Sequence, residues 1–356
     1  MSAAVLPALD APARFWRAVA ALAAVEEAEI AIGPTPSDPV FRRDKLTLRR
    51  YRPRAAADPR LPPLIVAHGL VGRPTMTDLD ADRSLARDLL ERGVDLFSLD
   101  WGAPGRAERF VSLADCVDDL LAGCVAHVTE ATSRRPALLG VCEGGVFGAC
   151  LAARDPETLA GLALIVTPID FHADPAALLP RWIRAIDRET LEGLVDALGG
   201  LPGGAMGSAF HALTPVRSRR KYTSQLVATA DDPAALRAFL RMERWIADRP
   251  HHPGEAARQM LCDCYRDNLL IAGDLILDGR AVDLREIAAP TLIVCGRRDH
   301  IVPPPCSLAL APLLTRAPCR ALTLDAGHIG VFVSARARGQ LGAALVDWLR
   351  ADALPA

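Results

Sequence analysis

The residues best suited to chemistry lie in a glycine-rich run at positions 140–145, which reads GVCEGG. The run directly follows a predicted strand and opens a predicted helix that continues to about Arg154. The pattern G-x-C-x-G between strand and helix predicts a nucleophile elbow with Cys142 as the nucleophile. A thiol at a helix N-terminus faces the positive end of the helix dipole, which stabilises the thiolate. Glu143 works against this effect unless its carboxylate points away, and the run alone fits a buried cysteine in a turn equally well.

Two later loops contain the partners that such a nucleophile needs. Residues 296–303 (GRRDHIVP) and residues 326–329 (AGHI) each follow a predicted strand. Taken singly, Asp299 is explained as a turn residue and His328 as the entry to a helix. The chain order Cys142, Asp299, His328 is, however, the nucleophile–acid–base order of α/β hydrolases. We therefore predict that His328 is the base and that Asp299 orients it.

The loop after an early strand, residues 67–73 (AHGLVGR), is predicted to complete an oxyanion hole. In this fold the loop lends a backbone N–H group to the oxyanion. Our candidate donors are the N–H groups of Leu70 or Val71, paired with the N–H of Glu143.

Two further histidines compete with His328 for the role of base. His300 follows the predicted acid immediately, so its side chain should point elsewhere. His68 lies in the oxyanion loop, where a structural role is more common. The other histidines show no partner pattern and receive no role.

These residues can act together only if the strands that precede them end at the same edge of a sheet. Apolar runs separated by helical stretches predict an α/β fold of the α/β-hydrolase type, with a mostly parallel central sheet and helices on both faces. Runs that are apolar throughout favour strands buried on both faces. The predicted strands are 64–67, 94–99, 137–141, 162–166, 291–295 and 321–324, preceded by a strand pair around 45–51.

The strand pattern stops between residues 168 and 289, where the sequence is mostly helical in pattern. We interpret this stretch as a helical cap inserted after the sixth strand. The predicted organisation is thus a first part of the core at 1–167, a mainly helical cap at 168–289, and a second part of the core at 290–356. An amphipathic helix is predicted at 10–32 within the first part.

Composition excludes several classes of protein. The 41 basic and 43 acidic residues are spread along the chain, which argues against nucleic-acid binding. No window approaches the roughly 20 apolar residues of a transmembrane helix, and the N-terminus lacks the features of a signal peptide. The nine cysteines form no disulfide framework and no zinc-like cluster. We therefore expect a cytoplasmic protein with reduced thiols and without metal or cofactor.

Beyond these signals, the sequence resembles the catalytic subunit of class III polyhydroxyalkanoate synthases nearly from end to end. Generic hydrolases share the order of the triad but not the flanking and cap segments. The segments that carry the resemblance are 73–79 (RPTMTDL), 99–102 (LDWG), 166–171 (VTPIDF), 239–248 (FLRMERWIAD), 299–304 (DHIVPP) and 327–330 (GHIG).

The resemblance implies an acyltransferase that polymerises 3-hydroxyacyl-CoA, with 3-hydroxybutyryl-CoA the expected monomer. Cys142 would carry the acyl group while coenzyme A leaves, and His328 would activate the attacking hydroxyl. The family also implies a second, helical synthase subunit, self-association into a homo-oligomer, and a location on polyhydroxyalkanoate granules.

Two alternatives use the same residues differently. A polyester depolymerase or thioesterase would have the same triad in an open, wet site and would release free acid. A non-catalytic protein would bind a granule surface or a partner through the cap, and its Cys142 would not react with an acylating probe.

Overall fold

An eight-stranded sheet forms the centre of the computed structural model, which describes residues 11–229 and 231–353. The strand order is β1-β2-β4-β3-β5-β6-β7-β8. Strands β3 to β8 pair in parallel, whereas β1 and β2 form an antiparallel hairpin whose second strand runs antiparallel to β4. The strands are β1 Ser37–Arg43, β2 Leu46–Tyr51, β3 Leu64–Ala67, β4 Leu96–Asp100, β5 Ala137–Val141, β6 Gly161–Ile165, β7 Thr291–Gly296 and β8 Cys319–Leu324.

The central strands are apolar because both of their faces are covered. Every residue of β3, β5, β6 and β7 is buried. Helices pack on each side and form two large apolar clusters, one per face of the sheet. Burial on both faces is typical of parallel sheets in α/β proteins. The predicted α/β fold is therefore confirmed.

Fifteen α-helices occur in the part of the chain that the structure describes. Four of them precede β6, and the other eleven follow it. They are α1 Ala11–Ala23, α2 Leu85–Glu91, α3 Ala122–Thr132, α4 Glu143–Arg154, α5 Leu178–Arg184, α6 Arg188–Leu198, α7 Gly203–Ala212, α8 Pro215–Arg220, α9 Leu226–Thr229, α10 Pro233–Ala247, α11 Gly254–Gln259, α12 Leu269–Ala272, α13 Pro304–Leu308, α14 Gly330–Val333 and α15 Ala335–Ala351.

Turns of 3-10 helix, π-helical segments and two pairs of very short strands complete the secondary structure. Five are 3-10 turns: Glu27–Ile30, Pro74–Thr77, Arg106–Glu108, Leu284–Glu286 and Ala311–Leu313. Three are π-helical: Asp115–Leu121, Lys221–Gln225 and Met260–Arg266. Two pairs of two-residue strands lie between β6 and β7: Gly200–Leu201 with His252–Pro253, and Ile276–Leu277 with Arg280–Ala281.

The predicted helix at 10–32 is wrong in its extent. The helix ends at Ala23, and Glu27–Ile30 forms a separate 3-10 turn, while residue 10 lies outside the described residues. Contacts with α10 hold this turn, because Arg241 donates to the Glu29 carbonyl at 2.7 Å and Arg237 pairs with the Glu29 carboxylate at 3.2 Å. A tertiary contact thus overrides the local helical pattern. No helix among the described residues is long and apolar enough to span a membrane.

The six predicted strands from 64–67 to 321–324 agree with the structure to within two residues at their ends. Of the strand pair predicted around 45–51, only β2 lies there, and β1 lies earlier in the chain. The largest shifts are at β4, which begins at Leu96, and at β8, which begins at Cys319. Strand β8 is the exposed edge of the sheet, so its outer residues lack the continuous apolar signal of a central strand. The carboxyl ends of β3, β5, β7 and β8 lie at one edge of the sheet, where the predicted site residues follow them.

Candidate active site

Cys142 stands at the sharp turn between β5 and α4. Its backbone angles, φ 52° and ψ −119°, are strained for a residue with a Cβ atom. The turn is possible because the residues two positions before and after Cys142 are glycines. A Cβ atom on Gly144 would overlap the Ala67 carbonyl, and one on Gly140 would overlap Gly145. Cys142 is half-buried, whereas the helix behind it is almost entirely buried. The strand–turn–helix context is that of a nucleophile elbow.

Asp299 and His328 meet at the ends of neighbouring strands. His328 Nδ1 lies 2.7 Å from Asp299 Oδ2. The other carboxylate oxygen accepts the N–H groups of Ile301 and Val302, both at 2.9 Å. Three donors therefore fix the Asp299 carboxylate, whose side chain is fully buried. With Nδ1 engaged, Nε2 is the nitrogen of His328 left to exchange a proton with a nucleophile.

The charge state of His328 depends on both of its partners. Burial disfavours its protonated form, but the negative charges of Asp299 and Cys142, and hydrogen bonds to both, raise the pKa of His328 to about 10. The structure therefore brings Cys142, His328 and Asp299 together as one coupled group. An imidazolium beside a cysteine favours the thiolate, the form that attacks carbonyl carbon.

The two competing histidines have no carboxylate partner among the described residues. His68 is buried with its Nε2 atom unpaired, and burial lowers its pKa to about 4. The neutral form of His300 is also favoured. Burial lowers its pKa, the positive charges of Arg217 and His328 lower it further, and the negative charge of Asp299 offsets only part of this. Of these three histidines, only His328 is hydrogen-bonded to a carboxylate that can orient a base.

The predicted oxyanion donors differ in what they contact. Leu70 N–H donates to the Glu143 carboxylate at 2.6 Å, so this donor is already engaged. Val71 N–H donates to none of the described residues, and Glu143 N–H opens α4 without an acceptor in the helix. The loop is further held by Trp101, whose indole N–H donates to the His68 carbonyl at 2.6 Å. Val71 and Glu143 are thus the two candidate donors with free N–H groups.

Sequence reasoning missed three residues that lie against the elbow or the oxyanion loop. His252 donates to the Glu143 carboxylate at 2.7 Å, and Trp245 donates to the Arg73 carbonyl at 3.1 Å. Tyr265 lies near Cys142 and Glu143, and burial together with those two charges raises its pKa. All three follow β6 by 80 residues or more, so no local motif connects them to the elbow. No group of three or more His, Cys, Asp or Glu side chains in the described ranges is arranged to hold a metal ion.

Comparison with known proteins assigns this arrangement to a family. A model of the α/β hydrolase fold matches residues 62–335. The chain is 37% identical over 319 residues to the poly(3-hydroxyalkanoate) polymerase subunit PhaC of Allochromatium vinosum, covering 89% of each protein. The chain belongs to this PhaC family. The PhaC subunits of Thiocystis violacea and of a Synechocystis species are 35% and 34% identical, with 89% and 96% of this chain and 88% and 91% of the relatives covered.

Solved structures support the fold of this PhaC-family chain. The structure of Rv0554 from Mycobacterium tuberculosis superimposes with a TM-score of 0.52 at 20% identity, covering 89% of this chain and 98% of that one. At this identity the likeness concerns the fold alone. The predicted family and the α/β-hydrolase fold are both confirmed.

Proposed function

We propose that the chain polymerises 3-hydroxyacyl-CoA into a polyester through an acyl-enzyme on Cys142, with release of coenzyme A. The relatives named poly(3-hydroxyalkanoate) polymerase subunit PhaC, at 34–37% identity over about nine tenths of the chain, make it a polymerase of the transferase class. The observation that carries the residue assignment is the 2.7 Å contact of His328 with Asp299 beside the strained Cys142 elbow. We take 3-hydroxybutyryl-CoA as the monomer.

In the first half-reaction, the Cys142 thiol gives its proton to His328 Nε2. The thiolate then attacks the thioester carbonyl carbon, and the resulting oxyanion lies within reach of the Val71 and Glu143 N–H groups. Collapse of this intermediate breaks the carbon–sulfur bond to coenzyme A, whose thiolate takes the proton from His328. Thioester exchange is nearly isoenergetic, so the acyl group on Cys142 stays activated for transfer.

In the second half-reaction, His328 takes the proton of a 3-hydroxyl group. The hydroxyl oxygen attacks a thioester carbonyl, an ester bond forms, and the sulfur that leaves recovers the proton. Asp299 holds the imidazole in the tautomer that these steps need and stabilises its cation. Water at the site would hydrolyse the same thioester, so the site must exclude it.

We propose that residues 168–289 form the cap that excludes water, between core parts at 1–167 and 290–356. Three contacts of α10 support this role. Trp245 and Met242 pack on the same apolar cluster as Cys142. Arg83 donates to the Ala238 carbonyl at 2.9 Å, which ties α10 to the chain after the oxyanion loop.

Partners and location extend the proposal. We propose that a second, helical subunit or another copy of the chain docks on the cap, and that the enzyme works in the cytoplasm on granules of its own polyester. Large apolar side chains are exposed on α5 and α6, with Trp182 40% and Leu194 48% exposed, and such a surface suits a partner or a polymer. All nine cysteines are free, as expected of a reducing compartment.

The test is product analysis. The purified chain, with and without a candidate partner subunit, is incubated with 3-hydroxybutyryl-CoA, and coenzyme A, polymer and free 3-hydroxybutyrate are quantified. Release of coenzyme A matched by polymer, and absent in Cys142→Ala, is the expected result. Release matched by free acid would replace the proposal with a thioesterase, and an unreactive Cys142 would favour a non-catalytic binding role.

A further inference from the structure

A buried carboxylate lies one residue after the nucleophile and connects three segments of the chain. The Glu143 side chain is 6% exposed, and its two oxygens have different partners. Oε2 accepts the N–H of Leu70 at 2.6 Å, in the loop that follows β3. Oε1 accepts Nε2–H of His252 at 2.7 Å, in the short strand that pairs with Gly200–Leu201. The elbow, the oxyanion loop and the segment after β6 therefore meet at one carboxylate.

His252 is placed to carry a positive charge. It is buried, and both of its ring nitrogens face acceptors: Nε2 faces Glu143, and Nδ1 lies 3.3 Å from the Pro253 carbonyl. Two acceptors require two N–H groups, which only the imidazolium provides. Burial opposes this charge, but the charge and hydrogen bond of Glu143 raise the pKa of His252. The other titratable groups facing Glu143 are Cys116, Cys264 and Tyr265, whose pKa values burial raises, so they stay neutral.

The oxyanion loop is shaped around the Glu143 side chain. A Cβ atom on Gly69 would come within 2.6 Å of both Cβ and Oε2 of Glu143, so the loop approaches this closely only because residue 69 is glycine. The bond from Leu70 N–H then fixes the Gly69–Leu70 peptide, which directly precedes the peptide that carries the Val71 N–H. The direction of the Val71 N–H depends on that peptide, and a misplacement of about 1 Å at a catalytic group costs roughly 100-fold in rate.

We propose that Glu143 and His252 form a buried ion pair that positions the oxyanion hole. Glu143 holds the Leu70 N–H and so aims the Val71 N–H at the reacting carbonyl. His252 cancels the carboxylate charge, which would otherwise oppose the thiolate and the developing oxyanion a few ångströms away. Both are positioning residues, and the inference rests on the acyl-transfer function proposed above.

Neutral glutamine replacements separate charge from hydrogen bonding. His252→Gln leaves the Glu143 charge buried without a cation, and Glu143→Gln removes that charge but keeps an acceptor for Leu70. The double variant has a neutral, hydrogen-bonding side chain at both positions. For the full-length chain with 3-hydroxybutyryl-CoA, we expect His252→Gln to lower kcat for coenzyme A release by about 10- to 100-fold, with KM changed by less than about 3-fold. Adding Glu143→Gln should restore most of that loss.

A matched control is Glu255→Gln, which breaks a pair with Arg258 on α11 outside this contact and should leave kcat unchanged. A double variant as slow as His252→Gln, or a His252→Gln variant as fast as the wild type, would overturn the proposal. If His252→Gln does not fold, Glu143→Ala and Glu143→Gln decide. Glu143→Ala removes the acceptor for Leu70 and should be at least about 10-fold slower than Glu143→Gln, so equal rates would also overturn it.

The same experiment distinguishes the two levels of proposal. A wild-type chain that releases no coenzyme A from 3-hydroxybutyryl-CoA, either alone or with a candidate partner subunit, contradicts the proposed function. An active wild-type chain whose variants all retain its kcat contradicts the ion pair alone.

Discussion

At the scale of single residues, the arrangement depends on Asp299. Its carboxylate accepts three hydrogen bonds, and one of them comes from His328 Nδ1 at 2.7 Å. We expect Asp299→Asn to keep the fold but to lower kcat by about 10³- to 10⁴-fold, because an amide donating to Nδ1 favours the wrong tautomer. Steady-state release of coenzyme A measures the effect. A variant within about 10-fold of the wild type would show that Asp299 does not orient the base.

The raised pKa of His328 predicts how stability varies with pH. The pKa of a histidine in the unfolded chain is about 6.5, whereas in the folded chain the pKa of His328 is about 10. A raised pKa means that the folded state binds the proton more tightly, so the stabilisation is fully present below pH 6.5 and is lost as the pH rises towards 10. The difference in unfolding free energy between wild type and His328→Gln should therefore shrink across that interval.

Urea unfolding of both proteins at a series of pH values measures this difference. Using the difference removes the other titrating groups, which the two proteins share. A difference that is constant with pH, or that grows as the pH rises, would mean that Asp299 and Cys142 do not raise the pKa of His328 in the folded chain.

The sequence predicts the three triad positions but not the network around them. Cys142, Asp299 and His328 each follow a recognisable strand, so local pattern is enough to predict where they lie in the fold. The partners of Glu143 cannot be predicted from local pattern, because His252 is 109 positions later and lies in a strand of only two residues. Likewise, no sequence pattern distinguishes Leu70 from Val71, since only the side chain of Glu143 decides which N–H is engaged.

At the scale of elements, the nucleophile elbow depends on glycines that permit close packing. We expect Gly144→Ala to lower the unfolding free energy by about 2–3 kcal/mol and to abolish activity, because its Cβ atom would overlap the Ala67 carbonyl. Gly193→Ala is the matched control. Gly193 lies inside α6 with no atom within 4 Å of its added Cβ, so this change should stabilise by about 0.5–1 kcal/mol. Thermal and urea unfolding would contradict the account if both variants lost stability equally.

Elements were predictable where burial imposes a pattern. Strands β3 and β5 are fully buried, and their predicted bounds equal those observed. The N-terminal helix was overextended because its end depends on arginines of α10, which no local rule contains. Strand β1 has only exposed or half-exposed residues, which explains why the strand pair was predicted around 45–51 and β1 was missed.

At the scale of the whole molecule, the segment after β6 must cover the site for polymer to form instead of free acid. Trp245 packs on the same apolar cluster as Cys142 and donates to the Arg73 carbonyl of the oxyanion loop. We expect Trp245→Ala to admit water and to raise the ratio of free 3-hydroxybutyrate to polymer several-fold. Trp182→Ala, which truncates a 40% exposed side chain of α5 in the same segment, should leave the ratio unchanged in the isolated chain. Equal ratios in both variants would contradict the cap.

The most direct test of the central claim is to trap the acyl group on the enzyme. The chain is mixed with 3-hydroxybutyryl-CoA, quenched in acid within the first turnovers, and analysed by peptide mass mapping. The account predicts a hydroxybutyryl or oligomeric adduct on the peptide that contains Cys142, and no adduct on the peptides of the other eight cysteines. An adduct on a different residue would contradict it. The same holds if the wild type forms polymer while its Cys142 stays unmodified and Cys142→Ala forms polymer as well.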